Sequence, residues 1–221
     1  MDAEAPAGSI VVVIDVIRAF TTAAVAFERG ATDIYCTPSI GAALRLRQIH
    51  TDRILVGEER GLKPADFDFG NSPYEMSKAR LVGRGLIQAT SNGTLGLARP
   101  QDVAALLATS AVNVGATARW IDMNHARTPC VIVCTGRTAE DWVCARYLRD
   151  VLEGMDPRPA DLIEGIRRGA AEHAQAYSVR SASERVDLSF DLPFCNDIDR
   201  SDFAMVAHRD DNYIAVEAVR C

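Results

Sequence analysis

The sequence predicts an α/β fold, a three-layer α/β/α arrangement around a mainly parallel sheet, with the C-terminal part free to add antiparallel strands. Three observations carry this. Strand-like and helix-like segments alternate through the first two-thirds of the chain. The strand-like runs are almost continuously apolar, as strands covered on both faces must be. The longest apolar run, from Ile10 to Ile14, falls far short of a membrane span.

The elements follow in order. Residues 9–16 form a β-branched run, a buried strand. Residues 18–29 are Ala-rich, put Phe20, Ala23, Ala24 and Phe27 on one helical face, and stop at Gly30. A strand over 32–36 precedes a helix over 40–49, for which Ser39 is a candidate N-cap, and a third strand over 53–57. Periodicity vanishes over 58–73, amid Gly61, Pro64, Gly70, Asn71 and Pro73, and long ordered loops of this kind are often functional. A strand over 86–90 turns at Asn92-Gly93-Thr94 into a short helix. Then come a strand over 103–108, a helix over 116–123, a strand over 130–134 and a helix over 140–152. Asp156, Pro157 and Pro159 make a break before a polar helix over 161–177. Short strands over 187–190, 203–208 and 213–219 follow, with Asp211-Asn212 turning between the last two. The tail is expected to complete one domain over 1–221 with edge strands, or to form a small subdomain over 160–221.

Composition narrows the partners. Apolar residues make up 48% of 221, enough for a sizeable core. A net charge of −6 disfavours nucleic acid and anionic lipid, so an anionic ligand needs a local cluster of donors. The first nine residues contain Asp2 and Glu4 and no Lys or Arg, unlike a signal peptide, and a cytoplasmic protein is expected. The six cysteines form no C-x-x-C pair, so reduced core thiols are expected rather than a zinc site. The sequence is silent on oligomeric state, and a homodimer stays open.

Ligands of parallel α/β sheets bind beyond the carboxyl ends of the strands. Past the first strand stand Asp15, Arg18, Thr21 and Thr22. Past the third stand Glu58, Glu59 and Arg60, then the loop Gly70-Asn71-Ser72-Pro73. Past the next stand Thr90, Ser91, Asn92, Gly93 and Thr94, followed by Ser110 and Asn113 past its successor. Past Cys134 stand Thr135, Gly136, Arg137, Thr138, Glu140 and Asp141. If the strands are parallel, all of these share one rim. Small hydroxyls, amides and N–H groups cradle oxyanions, and arginine forks match phosphate or sulfonate. Carboxylates among them call for a hard cation, and Mg²⁺ suits one or two carboxylates plus waters. The rim suggests a Mg²⁺-dependent site for a small, highly anionic substrate.

Structural readings compete at each position. Asp15 could cap the next helix, Asn92-Gly93-Thr94 could be a plain turn, and Ser72 could cap a helix starting at Pro73. Glu140 and Asp141 suit any helix N-terminus. The four histidines lie outside these clusters, which leaves a His-based triad without support. Arg158, Arg167 and Arg168 with Glu164 and Glu172 read as a solvated helix face. Phosphate-loop, dinucleotide and nucleophile-elbow motifs are absent.

The stretch Val13-Ile14-Asp15-Val16-Ile17-Arg18-Ala19-Phe20-Thr21-Thr22 resembles the opening motif of the 2-phosphosulfolactate phosphatase family. Gly57-Glu58 with Phe67-Asp68-Phe69-Gly70-Asn71-Ser72-Pro73 is similar to its second motif, and Thr90-Ser91-Asn92-Gly93-Thr94 to its third. Asn113, Cys134-x-Gly136, Glu140-Asp141, Phe194-Cys195 and Asp199-Arg200 follow in the family's order, so the resemblance spans nearly the whole chain. It implies an α/β fold and Mg²⁺-dependent hydrolysis of (2R)-2-phospho-3-sulfolactate to 3-sulfolactate and phosphate, a step of coenzyme M biosynthesis. Two departures stand out: Leu95 occupies the place of the family's Arg, and the segment between Gly136 and Glu140 is short.

On this reading Asp15, Glu58 and Asp141 are candidate Mg²⁺ ligands or water activators. Arg18, Asn92 and Thr94 are expected to hold the phosphoryl oxygens with the Gly93 N–H. Asn71, Ser72 and Arg137 are expected at the carboxylate or sulfonate end, with Thr21, Thr22, Ser91 and Asn113 lining the pocket. Two alternatives stay open: a phosphatase of another phosphorylated hydroxy acid, and a non-catalytic binder of anionic metabolites.

Overall fold

The structure, a computed structural model, describes residues 5–136 and 138–221. The first half lays down β1 (Ile10–Ile14), α1 (Ala19–Glu28), β2 (Ile34–Thr37), α2 (Ile40–Ile49), β3 (Ile54–Gly57), β4 (Phe69–Gly70), α3 (Pro73–Lys78), β5 (Leu86–Ala89) and α4 (Gly93–Ala98). The second half adds β6 (Ala105–Thr109), α5 (Val114–His125), β7 (Cys130–Cys134), α6 (Ala139–Leu152), α7 (Pro159–Ser178), α8 (Leu192–Cys195), β8 (Phe203–Arg209) and β9 (Ile214–Arg220). The strands form one sheet in the order β4-β3-β5-β2-β9-β8-β6-β1-β7.

Both faces of the sheet are covered, which is why its strands are apolar throughout. Alternation in β1 sends Val11 and Val13 to one face, where they pack with α1, α3 and α4 residues such as Phe20, Met76 and Leu97. Ile10, Val12 and Ile14 face α5, α6 and α7 through Val114, Leu148 and Leu162. On the same side α2 covers the other half, with Leu46 against Leu55 and Ile87. Ser39 caps α2 by accepting from the Ala42 N–H, and Ser72 caps α3 by accepting from Glu75.

The tail differs from expectation. β8 and β9 do not lie at an edge; they form a hairpin in the middle of the sheet, between β2 and β6. Met205, Ala207, Ile214 and Val216 are buried there, so the hairpin is core rather than trim. The expected strand over 187–190 is absent. The Asp187 carboxylate accepts from the Ser189 N–H, a local turn that leads into α8 instead of a ladder. The 58–73 loop contains β4, which pairs in parallel with β3, and a Glu59–Leu62 bridge.

The hairpin also reverses the sense of the sheet. β4, β3, β5 and β2 are mutually parallel, and so are β6, β1 and β7. Three antiparallel pairings, β2 with β9, β9 with β8 and β8 with β6, separate the blocks, which therefore point opposite ways. The expected single rim of parallel strand ends does not exist. Sheet twist of roughly 20–25° per neighbouring pair accumulates to on the order of 100–125° over the five steps from β5 to β1. Past β5, Gly93 packs on Asp15 past β1, so the carboxyl ends of the two blocks do meet at this point. Among the described residues no helix is long and apolar enough to cross a membrane, and all six cysteines are free thiols.

Candidate active site

Asp15 begins the turn from β1 to α1 and is 6% exposed. Its Oδ1 accepts from the Ala19 N–H at 2.9 Å, and its Oδ2 accepts from the Thr135 hydroxyl at 3.0 Å. Arg18, not Asp15, is the N-cap of α1, and the expected capping role is replaced by a bond from four residues upstream that satisfies the first helical amide. Gly93, at the start of α4, lies so close that an added Cβ would stand 2.7 Å from Ala19 Cβ and 2.9 Å from Asp15 Oδ2. This contact joins the first and third motifs across the reversed blocks. Asn92 beside it is exposed.

The second motif is tied to the third. Glu58 accepts from the Ser91 N–H at 2.6 Å, the Ser91 hydroxyl at 3.1 Å and the Gly61 N–H at 2.5 Å. Thr90 and Thr94 cap each other: each backbone N–H donates to the other's hydroxyl, and the Thr94 hydroxyl donates to the Thr90 carbonyl.

A third side comes from α6 and α7. Asp141 is 2% exposed; Oδ1 accepts from the Val16 N–H at 2.9 Å and Oδ2 from the Gly136 N–H at 2.8 Å. Asp141 thus holds the residue after Asp15 and the turn after β7. Its neighbour Glu140 is also buried, accepts from the Thr138 hydroxyl at 2.6 Å and pairs with His173 of α7 at 2.9 Å. Gly165 and Gly169 allow the two helices to approach this closely.

Arg18 is buried as well. It donates to the Asp191 carboxylate at 2.8 Å and to the Gly61 carbonyl at 3.2 Å, and the Asp191 carboxylate also receives the Ser72 hydroxyl and the Tyr74 N–H. Asp191→Ala would leave the Arg18 guanidinium buried without its counter-charge and release the start of α3. Unpairing one member of a buried ion pair typically costs about 3–5 kcal/mol. We expect a fall in Tm of roughly 6–20 °C at that cost, measured by calorimetry; an unchanged Tm would remove the anchoring role.

Asp15, Arg18, Glu58, Ser91, Gly93 and Asp141 are therefore brought together, with Ser72 joined through Asp191. Other predicted residues serve the fold. The Thr21 hydroxyl donates to the Val16 carbonyl, Thr94 locks the β5–α4 turn, and Asn113, wholly buried, braces Ser110 and Thr117. Those side chains, expected to face substrate, already have internal partners, because turns at strand ends need their own donors and acceptors satisfied. Thr22 Oγ1 and Asn71 Oδ1 are buried with no hydrogen-bond partner among the described residues. Arg137 lies outside the described residues. Glu140 stands among the expected rim residues, whereas His173 and Asp191 do not; the spacing of Gly169, His173 and Tyr177, four residues apart on one face of α7, is the sequence signal that could mark His173.

The electrostatics are those of crowded anions. The Asp15 carboxyl is pushed up to about 6, first by burial and then by Glu58 and Glu140. Asp141 is held well above the usual carboxylate range by burial and by Asp15. The residues that could hold a hard divalent cation through one or two carboxylates are Asp15 and Asp141, whose charges act on each other. Among the described residues no three His, Cys, Asp or Glu side chains are gathered as a ligand set. Asp15, Glu58 and Asp141, expected as a trio of ligands, lie in one region but among the described residues are not gathered as a ligand set, and each is already hydrogen-bonded: Glu58 to the Gly61 and Ser91 amides, Asp15 to the Ala19 amide and the Thr135 hydroxyl, Asp141 to the Val16 and Gly136 amides.

A protein family described as 2-phosphosulpholactate phosphatase matches residues 2–210. A protein of Thermus thermophilus named probable 2-phosphosulfolactate phosphatase is 34% identical over 204 residues, covering 87% of this chain and 85% of its own. One of the same name from Bacillus subtilis is 30% identical over 218 residues, covering 97% and 93%. Another from Deinococcus radiodurans is 33% identical over 206 residues, covering 87% and 85%.

Proposed function

The chain belongs to the 2-phosphosulfolactate phosphatase family, and on that premise we propose that it is a phosphoric monoester hydrolase acting on a small phosphorylated, sulfonated acid. The substrate is 2-phospho-3-sulfolactate; with water it yields 3-sulfolactate and phosphate, as a cytoplasmic step of the coenzyme M biosynthesis type. The observation that carries this reading is the packing of Gly93, the residue after the exposed Asn92, on the buried Asp15 carboxylate.

Phosphoryl transfer asks a protein mainly for positioning and charge stabilisation. Asn92 and the Gly93 N–H hold phosphoryl oxygens, and Asp15 orients the attacking water and takes its proton. Asp141 keeps the Val16 and Gly136 turns in register around Asp15. Asn71 orders the acid end of the substrate through its side-chain N–H donors, since its buried oxygen can only accept. When bound, Mg²⁺ would be held by Asp15 with Asp141 beside it and would supply neutralising charge for the phosphate.

The test is phosphate release from a panel of monoesters with Mg²⁺ and with a chelator. We expect 2-phospho-3-sulfolactate to be hydrolysed at least about 10-fold more efficiently than its carboxylate analogues, a margin of ~1.4 kcal/mol, and chelation to abolish turnover. Phosphate binding without release from any ester would establish a binder instead. Leu95, on α4 where the resembling family carries Arg, favours a second reading in which another phosphorylated hydroxy acid is the preferred substrate; the same panel separates the two.

A further inference from the structure

The face of α7 that carries Gly169, His173 and Tyr177 closes the candidate site from a side that none of the sequence motifs supplies. Glu140 is 1% exposed. Its Oε1 receives the Thr138 hydroxyl at 2.6 Å and pairs with His173 Nε2 at 2.9 Å, while Oε2 has no hydrogen-bond partner among the described residues. Gly169, one turn before His173, leaves the room that Oε2 occupies; an added Cβ would overlap it. On its other side His173 stacks on Tyr177, with ring centroids 6.0 Å apart, and the Tyr177 hydroxyl reaches Gly61, whose N–H holds Glu58. His173 is thereby braced between the two groups of carboxylates.

We propose that His173 is a positioning residue of the phosphatase site: by holding Glu140 it fixes the first turn of α6, and with it Asp141, against the β1–α1 turn that carries Asp15. Without the imidazole, a buried carboxylate keeps a single hydroxyl donor and must turn toward water, drawing the adjacent Asp141 from the Val16 and Gly136 amides. The activity readout rests on the phosphatase reading above.

The experiment compares wild type, His173→Ala, His173→Gln, Glu140→Gln and the His173→Ala/Glu140→Gln double variant in Mg²⁺-dependent phosphate release. Loss of a partner that orients a site residue typically costs about 10–100-fold, and we expect that loss in kcat for His173→Ala with KM little changed. His173→Gln, whose amide N–H can reach the same carboxylate oxygen, is expected to recover most of it. The double variant is expected to be no worse than Glu140→Gln alone, since residues acting through one contact are not additive. Wild-type kcat in His173→Ala, no recovery by Gln, or multiplying losses would overturn the proposal. If His173→Ala fails to fold, the Gln variants and their combination carry the same comparison. If the wild type releases no phosphate, the activity reading fails, and the pair is judged by imidazole ¹⁵N resonances. A His173 signal that moves in Glu140→Gln and on saturation with inorganic phosphate supports positioning; one that moves in neither overturns it.

Discussion

Asp15→Asn is expected to lower kcat by about 10³-fold or more, equivalent to ~4 kcal/mol of transition-state stabilisation, while leaving the fold intact. Asparagine keeps an oxygen for the Ala19 N–H, and the Thr135 hydroxyl can rotate to accept from the new amide. What disappears is the charge and the ability to take a proton. Stability is expected to move the other way. Because the Asp15 carboxyl sits at about 6 in the fold against 3.8 as its ordinary value, its contribution to stability is full below pH 3.8. It is lost as pH rises through about 6, where burial opposes the charged form. Two units correspond to about 3 kcal/mol, so in metal-free buffer at pH 7 the Asn variant should melt roughly 6–12 °C above wild type. The gap should close near pH 4. Steady-state kinetics with saturating Mg²⁺ and thermal melts at both pH values check this. A kcat within a few-fold of wild type would remove Asp15 from the chemistry.

Gly93→Ala is expected to impair both stability and turnover. The new methyl would press on Ala19 Cβ at 2.7 Å and Asp15 Oδ2 at 2.9 Å. Ala19 is the first residue of α1 and cannot yield without moving the helix. Overpacking of this kind costs about 1–3 kcal/mol, and a displacement of about 1 Å at a reacting group can cost 10²-fold in rate. Gly41→Ala is the control: in α2 its Cβ meets only the end of Arg45, at 3.5 Å. Replacing a helical glycine there should stabilise by up to about 1 kcal/mol and leave kcat alone. Equal kcat in the Gly93 variant and wild type would show that the Gly93–Asp15 contact does not shape the site.

Much was legible in the sequence because it is a matter of neighbours. Apolar runs located β1, β3, β5 and β7. The caps at Ser39 and Ser72, and the placement of chemistry-bearing residues just past strand ends, follow from residues within four positions of one another. The three motifs marked Asp15, Glu58 and Asn92 for the same reason. Tertiary structure alone decided where the C-terminal hairpin enters the sheet, that this entry reverses one block of strands, and that Gly93 past β5 nevertheless packs on Asp15 past β1. It alone paired Val16 with Asp141, 125 positions away, and Arg18 with Asp191, 173 positions away. It alone set His173 on Glu140. Periodicity and turn chemistry report the few residues on either side of each position. Which buried carboxylate meets which donor depends on how separate helices and strands close-pack, and no local pattern records that.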